Sequence, residues 1–149
     1  MSTILEEINK NRNSYYKTIL ENISEYIYRE KRYDSHFSLS LIYHDKNVKV
    51  DAKKLQNTLR ETDMLIPLHS NIFCVVFDET GGQSCIRASE NLNKTLQKMY
   101  YNEKFFVSAS DSMDFDANYL DMSNKLFERI EYAISHKQYN IVICQDYLV

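Results

Sequence analysis

Arg60 and Asp63, three residues apart in "LRETD", are the pair whose types and spacing most invite chemistry in this chain of 149 residues. Arginine presents a rigid fan of N–H donors suited to a phosphate, and a nearby carboxylate accepts N–H groups in return. The same spacing also closes a local ion pair at a helix end, worth about 0–1 kcal/mol when exposed, so a ligand role and a structural role both stay open. Other reactive side chains are less organised. His36, His44, His69 and His136 lack metal-ligand spacing, and Cys74, Cys85 and Cys144 form no CxxC pair. Two of those cysteines lie in apolar runs, where a thiol serves as a small hydrophobe. "SASDS" (108–112) supplies hydroxyls but no glycine elbow for a serine nucleophile. No metal and no cofactor is expected.

The elements that must position Arg60 and Asp63 follow from periodicity. Between Asn13 and Arg32, residues Tyr16, Ile19, Leu20, Ile23, Tyr26 and Ile27 recur at three- and four-residue steps, which predicts an amphipathic helix. Phe37, Leu39 and Leu41 alternate with serine in "FSLSLIYH", predicting a strand to His44. "DAKKLQNTLRET" (51–62) has helical composition, with Asp51 placed to cap its N-terminus. Two apolar runs, Met64 to Leu68 and Ile72 to Phe77, then predict a hairpin around His69, Ser70 and Asn71, although no glycine is there to supply positive φ. "DETGGQS" (78–84) is a loop. A helix with Ile86, Leu92, Leu96 and Met99 on or near one face comes next, then a strand at 104–112. A helix from Asp116 to Lys137 turns Leu120, Leu126, Phe127, Ile130 and Ala133 or Ile134 inward, and a buried strand at Asn140 to Cys144 closes the order. Helices alternating with strands around one hairpin predict an α/β or α+β domain of mixed strand direction.

Composition narrows the classes. With 44% hydrophobic and 26% charged residues the chain can build an ordinary core, and its length suits one domain. A formal charge of −3, with both signs interspersed, provides no general field for nucleic acid or an anionic membrane. "MSTILEEINKN" is not a signal peptide, and no run approaches a membrane span of about 20 residues, so a cytoplasmic location is expected. The apolar positions Ile4, Leu5 and Ile8 extend the first helix's stripe upstream, where it could pair with a second copy of the chain or a partner helix.

The element order, and "LRETDMLIPLHSNIFCVVF" (59–77) in particular, resembles the GGDEF domains of bacterial diguanylate cyclases. Leu59, Arg60 and Asp63 match the family's "LRxxD", five residues separate Asp63 from the turn, and Phe73 matches the phenylalanine that ends the signature. Asn11 and Arg12 match the Asn-Arg pair of the entry helix, "FFVSASDS" stands where the family has its "VTVSIGIA" strand, and "LFERIEYAISHKQYNIVI" looks like the closing helix and strand. The resemblance implies a nucleotidyl-cyclase palm-like mixed five-stranded sheet flanked by helices, as one domain over residues 1–149: an entry segment, 1–33, and a core, 37–149.

The resemblance also carries expectations about sites. The family turn reads Gly-Gly-Asp/Glu-Glu-Phe, whereas this one reads His69, Ser70, Asn71, Ile72, Phe73, a degenerate signature. The first strand ends Tyr43, His44, Asp45 in place of an Asp-x-Asp, the segment that would hold guanine is short, and Ser135 occupies a phosphate-contacting lysine position. No catalytic residues and no enzymatic activity are therefore expected. "RETD" sits where the family binds cyclic di-GMP for regulation, which implies a site of Arg60 and Asp63. Arg87, one turn before the position of the family's second arginine at Asn91, could complete it. The expected function is regulation, by binding cyclic di-GMP and signalling to a protein partner; the alternative is a protein-interaction scaffold that needs no nucleotide.

Overall fold

Strand β1 (Ser38–His44) alternates with the period of two that a sheet buried on both faces requires, Leu39 and Leu41 entering one apolar cluster and Ile42 the other. The computed structural model describes residues 3–145 apart from Lys46 and Ala117. Around β1 stand β2 (Met64–His69), β3 (Ile72–Phe77), β4 (Phe105–Asp111) and β5 (Val142–Ile143), in the order β2-β3-β1-β4-β5. All neighbours are antiparallel except β4 and β5, which run parallel. The mixed five-stranded sheet matches the expected α+β architecture.

Among the described residues, five α-helices cover the two faces: α1 (Thr3–Asn22), α2 (Ser24–Tyr33), α3 (Ala52–Gln56), α4 (Gln83–Met99) and α5 (Tyr119–Ser135). On one face Ile19, Tyr26, Leu126, Phe127 and Ile130, from α1, α2 and α5, pack against Leu39, Leu41 and Val76. On the other, Leu55 of α3 and Leu92 and Leu96 of α4 meet Ile42, Val75 and Val107. Each such aliphatic side chain, fully buried, contributes roughly 1.5–3 kcal/mol. Buried hydroxyls join the layers too: Ser108 and Ser110 on β4 donate to the Leu126 and Met122 carbonyls of α5, at 2.7 and 3.1 Å.

Several boundaries differ from the sequence expectation. The entry helix begins at Thr3 and divides at Ile23, whose φ of −106° and ψ of 12° leave the helical range. Ile8 is 1% exposed in the chain's own core, with Ile4 packed against that core, so these two positions of the upstream stripe are used within the chain. Arg12 fastens this helix to α5: its Nη2 donates to the Asn124 carbonyl at 2.8 Å and its guanidinium lies 5.5 Å from the centre of the Phe127 ring. Asp51 caps α3 as expected, accepting from the Lys54 N–H at 3.1 Å. That helix stops at Gln56, where the backbone passes into tighter turns, Thr58 and Leu59 donating to the Leu55 and Gln56 carbonyls; the Gln56 side chain turns to β2, accepting from Leu65 N–H at 2.9 Å and donating to the Asp63 carbonyl at 3.3 Å. In α5, Leu120 is 51% exposed and Met122 takes the inward place. The closing strand is two residues long rather than five.

The hairpin needs no glycine because neither Ser70 nor Asn71 adopts positive φ. A bulge between Pro67 and His69 absorbs the geometry instead, inserting Leu68 opposite the step from Phe73 to Ile72. No described helix is long and apolar enough to cross a membrane.

Candidate functional site

Arg60 and Asp63 lie on the irregular segment between α3 and β2, and Asp63 is the anchor of that segment. Its Oδ2 accepts from the Arg60 main-chain N–H (3.1 Å) and Nε (3.2 Å), and its Oδ1 from Arg60 Nη2 (3.1 Å) and the Asp78 N–H (2.9 Å). Four charge-assisted bonds compensate a carboxylate whose side chain is 3% exposed, while that of Arg60 is 54% exposed. Arg60 Nη2 also donates to the Asp78 carbonyl. Hydrogen bonding to Asp63 pushes the Arg60 guanidinium further above its ordinary pKa, so the charge is permanent. In this arrangement Asp63 directs both oxygens at protein donors and aims Arg60 outward.

Arg60 points over a groove of about 330 Å³ between this segment and α4. Arg87 and Asn91, one turn apart on α4, line its opposite wall, and Leu59, Phe77 and Leu92 contribute apolar surface. Arg87 makes no ion pair among the described residues. The three residues expected at the ligand site thus border one cleft, two of them as exposed cations, at the small end of the usual size range for ligand sites.

Three participants in this region were not foreseen from sequence. The Asp78 side chain, 10% exposed, accepts from Arg29 Nη2 of α2 at 3.3 Å. Arg29 stacks 4.9 Å above the Tyr26 ring, and Tyr26 donates its hydroxyl to the Thr62 carbonyl at 2.7 Å. Burial, and then the Asp78 carboxylate, pushes the Tyr26 phenol up to about 12. Arg29 and Asp78 are 49 residues apart, and no local pattern signals their meeting.

The turn residues lie elsewhere. They occupy the far end of β3, roughly 17 Å along the strand from Phe77. His69 Nδ1 is 3.1 Å from Asn71 Oδ1 and 3.2 Å from Ser70 Oγ, and His69 Nε2 is 3.5 Å from Glu7 of α1. Asn71 is buried and its carbonyl accepts from the His44 N–H at 3.1 Å; Ile72 and Phe73 enter opposite faces of the core. His44 is buried as well, and desolvation lowers its pKa, which keeps the imidazole neutral. Because the Asp45 carbonyl can only accept, the proton of His44 sits on Nδ1. Asp45 itself is exposed and accepts from the Asn47 N–H at 2.9 Å. Among the described residues, no three His, Cys, Asp or Glu side chains converge as a group that could hold a metal ion. Burial raises the pKa of Cys74 and pushes that of Cys85 up to about 12, which leaves both as unreactive thiols.

The chain has the fold of GGDEF domains. The GGDEF domain of FimX from Pseudomonas aeruginosa superposes with a TM-score of 0.66 at 13% identity, over 87% of this chain and 93% of that one. The active GGEEF domain of a diguanylate cyclase from Vibrio cholerae gives 0.63 at 15% identity, over 81% and 90%. The GGDEF domain of DgcB from Caulobacter crescentus, in complex with cyclic di-GMP, gives 0.53 at 11% identity, over 87% and 86%. The sequence matches no family model and no curated protein.

These structures correct the expectation that the chain is not an enzyme. The Vibrio cholerae domain is active, so the architecture shared here is one that supports cyclase chemistry. That expectation rested on matching the turn residues, the end of the first strand, the short segment after it and Ser135 to catalytic positions of the family, and such matching does not establish which groups approach a nucleotide.

Proposed function

We propose that this chain is a cytoplasmic GGDEF-fold regulatory domain that takes cyclic di-GMP in the groove between Arg60 and α4 and passes its occupancy to a protein partner. The observation that carries the proposal is the facing pair of exposed cations, Arg60 and Arg87, over an apolar floor. Two guanidinium groups suit a ligand with two phosphodiesters and two guanine edges, and the floor suits the flat faces of the bases. Asp63 acts in this reading as the positioning carboxylate, since its oxygens are committed to Arg60 and Asp78. The cyclic di-GMP complex of the Caulobacter crescentus domain supports the ligand class.

Calorimetric titration with cyclic di-GMP tests the proposal. Heat from the native protein that is lost in Arg60→Ala is expected. No heat from the native protein overturns the ligand and leaves a protein-interaction scaffold as the standing alternative.

A further inference from the structure

We infer that the groove is coupled to α2 through Asp78, so that a ligand on Arg60 changes how firmly the N-terminal helix pair is held. The inference rests on the groove reading for its ligand, and on a chain of hydrogen bonds for its connection. Asp78 is gripped by the Arg-x-x-Asp motif at both of its peptide groups: its N–H donates to Asp63 Oδ1 at 2.9 Å, and its carbonyl accepts from Arg60 Nη2. Its carboxylate accepts from Arg29 Nη2 at 3.3 Å. Arg29 is stacked 4.9 Å over Tyr26, and the Tyr26 hydroxyl returns to the motif at the Thr62 carbonyl, 2.7 Å away. The contacts therefore form a closed ring in which two residues of α2, one turn apart, hold the loop from Thr62 to Asp63 and the loop at Asp78 together.

Arg60 and Asp63 are members of this ring that line the groove, and of the two Arg60 is the exposed one. A phosphate held bidentately by the Nη1 and Nη2 edge of Arg60 competes with the Asp78 carbonyl, because one Nη2 N–H is given to Asp63 Oδ1 and the other to that carbonyl. When the ligand wins, Asp78 loses one of its two main-chain ties and its carboxylate is less firmly presented to Arg29. Binding at the groove thereby loosens α2. Linkage requires the reciprocal effect: a change that loosens Asp78 first makes Arg60 easier to draw away, and raises affinity by the same factor.

Two measurements test this. In the absence of ligand, urea unfolding of Arg29→Gln, Arg60→Gln and the double variant should give a double-variant unfolding constant that departs about twofold or more from the product of the single effects. Additivity overturns the ring. With cyclic di-GMP, Arg29→Gln should bind about fivefold tighter than native, and amide exchange across residues 24–33 of the native protein should speed up on ligand addition. Native or weaker affinity in Arg29→Gln, or unchanged exchange, overturns the coupling. If the native protein binds no cyclic di-GMP, the groove reading fails by itself, and the ligand-free cycle still decides whether the ring exists.

Discussion

The Asp63 carboxylate, although only 3% of its side chain is exposed, receives three N–H groups from Arg60. An arginine so held has lost much of its rotamer freedom before any ligand arrives, and pre-organised donors bind at lower entropic cost. The same arrangement makes Asp63 a stability residue. Asp63→Ala strands the buried Asp78 N–H and releases Arg60, and should destabilise the chain by about 2–3 kcal/mol. Asp45→Asn, at an exposed position, should stay within about 0.5 kcal/mol. Urea unfolding compares the two, and equal values would remove Asp63 from its anchoring place.

Arg87 has the opposite profile. It is exposed and makes no ion pair among the described residues, so Arg87→Ala should leave stability within about 0.5 kcal/mol. Its loss should weaken cyclic di-GMP binding by about tenfold or more, the value of one charge-assisted hydrogen bond. Calorimetry on this variant is the check, and native affinity would take α4 out of the site.

Glu30 makes acid stability testable. Burial would raise its pKa, but hydrogen bonds from Ser112, His36 and Tyr119 outweigh burial and lower it. Its Oε2 is 2.9 Å from His36 Nδ1 and its Oε1 accepts from the Tyr119 hydroxyl at 2.7 Å. With the folded pKa below the unfolded one, ionised Glu30 contributes stability that is full above the ordinary glutamate value, about 4.3, and is lost as pH falls through the folded value. Unfolding midpoints measured from neutral pH into acid should therefore fall less steeply in Glu30→Gln than in the native chain. A parallel decline would exclude Glu30 as the source.

Ile8 decides between two uses of the N-terminal stripe. Because it is buried in the chain's own core, Ile8→Ala should destabilise folding by about 2–5 kcal/mol without changing the oligomeric state. Light scattering coupled to sizing, alongside urea unfolding, separates the outcomes. A shift from dimer to monomer at unchanged monomer stability would restore the stripe as an interface between copies.

Alternation in Phe37–His44 and the two apolar runs of the hairpin made the sheet legible, because a period of two has one structural meaning when the run is flanked by turns. The helices were legible as periodic segments, but their ends were not. Neither end carries a glycine or proline to mark it: the break falls at Ile23, buried in the core, and the stop at Gln56, whose side chain bonds to Leu65 and Asp63 on the far side of a turn. The Arg-x-x-Asp string and its local ion pair were visible, whereas the bond from the Asp78 N–H to Asp63 was not. The Arg29–Asp78 link was invisible for the same reason: its partners meet only once β3 and α2 are packed. The inference of lost activity failed at a different step. It let four altered or missing parts of the active site outweigh a scaffold that an active cyclase shares.

The bulge and Pro67 on β2 also govern how this sheet meets other molecules. β2 is an outer strand, and Pro67 withholds an N–H where an incoming strand would need a donor. Leu68, displaced by the bulge, interrupts the straight row of carbonyls beside it. The hairpin margin is consequently a poor template for strand addition, which protects the folded chain from edge-to-edge aggregation.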